Sequence, residues 1–75
     1  MTKTLIATKQ TKELGLHQVI ITQDTSELTI HRKSYFDGKI YTKETRYYET
    51  NNIFNISWNH EIKYLQEHKY TTIYL

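Results

Sequence analysis

The chain has 75 residues, no cysteine and no proline, and ten basic against eight acidic side chains for a formal charge of +2. A chain of this length makes one domain, residues 1–75, that buries only about 60% of the surface its unfolded form exposes. The absence of cysteine excludes a disulfide framework, thiolate chemistry and a Cys-based zinc site, and the near balance of charge does not by itself call for a nucleic-acid partner.

The N-terminal run MTKTLIATKQ lacks the apolar segment of a secretion signal, and no stretch approaches the ~20 apolar residues of a membrane span. The expectation is therefore a soluble, cytoplasmic protein with no membrane partner. Residues 2–8 have β propensity with weak alternation, and the polar run that follows reads as a connection containing Gly15. Residues 16–23 (LHQVIITQ) form a strand whose centre, Val19-Ile20-Ile21, is apolar on both faces, which suits a central place in a sheet. Asp24-Thr25-Ser26-Glu27 supplies turn chemistry, with Gln23 expected opposite Leu28 and Ile21 opposite Ile30.

The clearest signal is residues 28–49, two β-rich runs on either side of Asp37-Gly38. A two-residue type I′ turn needs positive φ at both central positions, and Asp-Gly tolerates it. With Phe36 opposite Lys39, the expected pairs include Tyr35/Ile40, Ser34/Tyr41, Lys33/Thr42, Arg32/Lys43, His31/Glu44 and Leu28/Tyr47. That register puts Leu28, Ile30, Phe36, Tyr41 and Tyr47 on a core face. It puts Thr29, His31, Lys33, Tyr35, Ile40, Glu44 and Arg46 on a wet face.

Glu49-Thr50-Asn51-Asn52 again reads as a turn. Phe54, Ile56 and Trp58 alternate with Asn55 and Ser57, which predicts a further meander strand over residues 53–58. From Asn59 the period becomes helical through Trp58, Ile62 and Leu65, which predicts a helix over residues 60–69 with Asn59 as its cap. Residues 70–75 (YTTIYL) read as a closing strand. The order is β-β-β-β-β-α-β. The fold class is α+β, a small antiparallel sheet of about four to six strands with one short C-terminal helix packed on one face.

No catalytic, metal or nucleotide motif appears, and no cofactor is expected. His60 and His68 are eight apart on a helix and do not make an i, i+4 metal pair. His31 opposite Glu44, beside Lys33, Tyr35 and Arg46, has the residue types of a metal-free ribonuclease, but such pairs are also ordinary sheet stabilisers. The expectation is that the protein is not an enzyme. Seven tyrosines exceed what a thin core hides, and tyrosine suits an interface. The candidate binding residues are Lys33, Tyr35, Ile40, Arg46 and Tyr48. The expected function is a non-enzymatic inhibitor or adaptor that binds a protein partner through this surface, with a homodimer also open. The alternative is a nucleic-acid binder in which Tyr35, Tyr48 and Phe36 stack bases while Lys33, Lys39, Lys43 and Arg46 meet phosphates. Residues 2–8 or 70–75 offer edge strands for a partner's sheet. In composition alone, a very small, Cys-free chain rich in Tyr, Asn, Lys and Ile is similar to the accessory proteins of phages and mobile elements in low-GC bacteria. That resemblance implies binding to a host or defence protein.

Overall fold

The computed structural model describes residues 2–75. Its elements are β1 (Thr2–Thr11), β2 (Gly15–Asp24), β3 (Thr29–Phe36), β4 (Lys39–Tyr47), α1 (Asn51–Glu67) and β5 (Thr71–Tyr74). The strands form one antiparallel sheet in the order β4-β3-β2-β1-β5, with α1 packed on one face. The expected α+β class is what the chain adopts.

β1 and β2 are joined by a tight turn in which the Thr11 hydroxyl donates to the Gly15 carbonyl at 2.6 Å and accepts from Leu14 N–H at 3.2 Å. Gly15 sits at φ +79, and a Cβ there would meet the Asp37 carboxyl at 3.1 Å, so both the backbone region and the space favour glycine. β2 is central, as its doubly apolar middle requires. β1 is covered by β5 on its outer side along Leu5–Thr8, so that part of the expected 2–8 edge is not free, and the long free edge belongs to β4.

The β2–β3 turn keeps the expected four residues but lies one position later, over residues 25–28. Asp24 is opposite Thr29 and Gln23 opposite Ile30, two residues beyond the expected register, because Leu28 lies in the turn at φ +53. A shift of two preserves parity, so Ile21 and Ile30 still share the core face. The β3–β4 hairpin departs further. Asp37 and Gly38 have the positive φ values of the expected turn, and Phe36/Lys39 and Tyr35/Ile40 pair as expected. Ser34 then faces Thr42, with an irregularity between Ser34 and Tyr35. Tyr41 is the extra residue of a β-bulge, and everything after it changes face.

The expected strand over residues 53–58 is helix instead. α1 starts after Thr50, whose hydroxyl accepts from Ile53 N–H at 3.3 Å; Asn59 is interior, not a cap. Phe54 and Trp58 satisfy a period of 2 and a spacing of four equally well, and the helical choice joins them to Leu65 in one buried stripe. Ile53 and Ile56 are left exposed. The helix ends in a Schellman arrangement: Tyr70 N–H donates to Leu65 O at 2.9 Å and Lys69 N–H to Gln66 O at 3.1 Å. Lys69 occupies the left-handed position at φ +62.

Phe54, Trp58 and Leu65 close over Leu5, Ala7, Val19, Ile21 and Ile30, with Leu28, Tyr48, Ile62 and Tyr70 around the rim. Each large apolar side chain so covered contributes roughly 1.5–3 kcal/mol. The helix does not reach β4, every residue of which is exposed. Among the described residues, no helix is long and apolar enough to cross a membrane.

Candidate binding face

Because α1 covers one side of the sheet, the other side is open, and the pairing register states what shares it. One row crosses the sheet as Lys43, Lys33, Ile20, Ile6 and Ile73, grading from cationic at the β4 edge to apolar at the β5 edge. The row beside it runs Ile40, Tyr35, Gln18, Thr8 and Thr71, and on the other side Thr45, His31, Thr22 and Thr4. A hollow of about 510 Å³ lies on the β2–β3–β4 part of this face, lined by Ile20, Thr22, His31, Lys33, Tyr35, Lys43 and Thr45.

Hydrogen bonds fix its floor. His31 Nδ1 is 2.9 Å from Thr45 Oγ1 and its Nε2 is 3.4 Å from Thr29 Oγ1, while the Thr4 and Thr22 hydroxyls lie 3.4 Å apart. Asp24 is the one carboxylate on the described strands of this face. Ser26 donates to it through its hydroxyl at 2.7 Å and its N–H at 2.9 Å, and these bonds hold its pKa below the usual carboxylate value.

Of the five sequence-derived candidates, Lys33, Tyr35 and Ile40 share this face. Arg46 does not: the bulge turns it to the helix side, where its guanidinium meets Glu44 at 3.3 Å. Tyr48 packs edge-on against Phe54 with ring centroids 5.8 Å apart, so it belongs to the rim of the core. His31 and Glu44 are not opposed either; Thr45 faces His31, Glu44 faces Arg32, and the acid–base pair of the ribonuclease reading is not assembled. Tyr41 and Tyr47, expected in the core, are 68% and 78% exposed. Lys43, Thr45 and Tyr47 are the open-face residues that the expected register missed. Charge pairing does not separate the two registers: the observed one sets Arg32 against Glu44 but Lys33 against Lys43, where the expected one set Arg32 against Lys43 and His31 against Glu44.

The helix side carries a second hollow, about 420 Å³, lined by Arg32, His60, Glu61 and Tyr64. Arg32 Nη1 lies 2.5 Å from Glu61 Oε2, and this ion pair ties β3 to α1. At the other end of the sheet, His17 stacks on Phe36 and its Nδ1 is 2.8 Å from the Tyr70 hydroxyl. Burial, then the charges of Arg32 and Lys9, lower the His17 pKa; burial raises that of Tyr70. Lys9 Nζ lies 5.4 Å over the Tyr70 ring. Among the described residues, no group of three or more His, Asp or Glu side chains is placed to hold a metal ion. No protein-family model, curated protein or solved structure matches this chain.

Proposed function

We propose that the protein is a non-enzymatic binding protein whose open sheet face takes a single-stranded nucleic acid. The observation that carries this reading is the direct opposition of Lys33 and Lys43 beside Tyr35, on a face from which the bulge has removed Glu44. Two ammonium groups held opposite one another favour an anion between them. Uncovered sheet carrying aromatic and basic side chains together is how single strands are bound: bases stack while phosphates meet lysines.

A fluorescently labelled mixed-sequence oligonucleotide, followed by anisotropy at rising salt, tests it. Binding at low salt should weaken with a log–log slope of about −0.7 per phosphate contacted, and Lys33→Gln with Lys43→Gln should reduce that slope by about 1.4. No binding at low salt, or a slope untouched by the double change, overturns the reading.

A second reading is the inhibitor or adaptor that binds a protein partner, in the cytoplasm, as accessory proteins of phages and mobile elements do. The adjacent Ile20, Ile6 and Ile73 favour it, since they extend an apolar patch across three strands. It predicts partner binding that is insensitive to salt and is lost in Ile6→Ser with Ile73→Ser.

A further inference from the structure

We propose that β4 pairs with β4 of a second copy of this chain, antiparallel, about a two-fold axis through Thr45, so that two sheets become one. The inference is independent of what the open face binds. It starts from the free edge of β4, exposed at every residue and flanked by β3 on one side only.

The backbone decides which groups are available. Tyr48 N–H donates to Leu28 O at 2.9 Å, in register with Thr29 opposite Tyr47. Antiparallel alternation therefore points the N–H and C=O groups of Thr42, Glu44 and Arg46 toward β3. It points those of Lys43, Thr45 and Tyr47 outward. Outward groups bond only to outward groups, so the pairing must keep parity.

Charge then selects the register. An axis through Lys43, Glu44 or Arg46 places that residue against its own copy and opposes like charges. An axis through Thr42 runs into the Tyr41 bulge, and one through Tyr47 runs off the end of the strand. An axis through Thr45 sets Glu44 against Arg46 of the other copy, twice, with no like charges opposed. Those residues fall in the non-hydrogen-bonded pairs, where side chains lie closest. On the open face the same axis sets Lys43 against Tyr47, a cation over the most exposed aromatic ring of the chain. Lysines and a bulge on an edge ordinarily guard against pairing; here they leave one register permitted.

The test is sedimentation velocity over a concentration series, with circular dichroism to confirm that each variant keeps the fold. The wild-type chain should dimerise. Glu44→Arg and Arg46→Glu should each weaken the dimer by about tenfold or more, because each turns two attractive pairs into repulsive ones. The two changes combined should restore the affinity, since opposite charges face each other again. Thr45→Pro removes an outward N–H that no intramolecular bond uses, which an edge strand tolerates, and should leave a folded monomer. A wild-type chain that stays monomeric at the highest concentration overturns the proposal. So does a dimer indifferent to the single changes, or one that the combined change does not restore.

Discussion

Lys33 and Lys43 face each other across the β3–β4 ladder, in a pair whose side chains are among the closest a sheet brings together. Like charges so placed oppose folding by a few tenths of a kcal/mol to about 1 kcal/mol. Replacing one of them, as in Lys43→Gln, should therefore raise stability slightly, or leave it unchanged, in urea denaturation. A loss of more than about 1 kcal/mol would mean that the pair is structurally supported rather than strained.

His17 is held in a neutral-favouring site by Phe36, Tyr70 and the nearby charges of Arg32 and Lys9. With its proton on Nε2, the ring accepts from the Tyr70 hydroxyl. Its folded pKa lies below the ordinary value, so the unfolded chain takes up the proton first as pH falls. The stability this site contributes is complete above about pH 6.5 and declines below it, until the pH drops under the folded pKa. Chemical denaturation between pH 7.5 and pH 5.5 should show that decline, and His17→Gln should flatten it.

Trp58 is the large core residue that α1 lays over the sheet. Trp58→Ala should cost about 3–5 kcal/mol, which is most of what a domain of this size has, and should leave the chain largely unfolded by circular dichroism. Thermal melting of Trp58→Phe, which keeps the ring and loses less volume, should show an intermediate loss.

Lys69 occupies the left-handed position of the helix C-terminus at φ +62. A residue with a Cβ is strained there by roughly 1–2 kcal/mol, while glycine is not. Because glycine also gains freedom in the unfolded chain, Lys69→Gly should stabilise the protein by about 0.5–1 kcal/mol. The same change at Lys63, in the helix interior, should destabilise by about 1 kcal/mol. Opposite signs in urea denaturation check the assignment.

The parts of the fold that were legible are those where chemistry is local or burial is strong. Asp37-Gly38 announces its turn through φ alone. Val19-Ile20-Ile21 announces a central strand, because only such a strand has apolar neighbours on one side and a partly covered face on the other. Residues 53–58 were misread because Phe54 and Trp58 fit both periods. What separates the two is Thr50, whose hydroxyl closes the first helical turn, and the reach of the stripe to Leu65. The β4 register was not legible because β4 buries nothing: with no apolar alternation to satisfy, a one-residue slip costs no burial. The candidate site inherited that ambiguity. Lys33, Tyr35 and Ile40 precede Tyr41 in the chain and share the open face in either register, while Arg46 and Tyr48 follow it and do not.

The bulge also bears on how this protein can diverge. Tyr41 sits outside the ladder, and its loss would cost the fold little more than its edge contact with Phe36 at 5.0 Å. Deleting that one codon would remove the bulge and leave every pair beyond it in place, with Ser34 still opposite Thr42 and Lys33 still opposite Lys43. The opposite event is the one that changes the surface: with Tyr41 drawn into the ladder opposite Ser34, Glu44 and Arg46 would turn to the open face and Lys43, Thr45 and Tyr47 away from it. A descendant without Tyr41 would thus lose that alternative register and keep its cationic lip, with the core untouched.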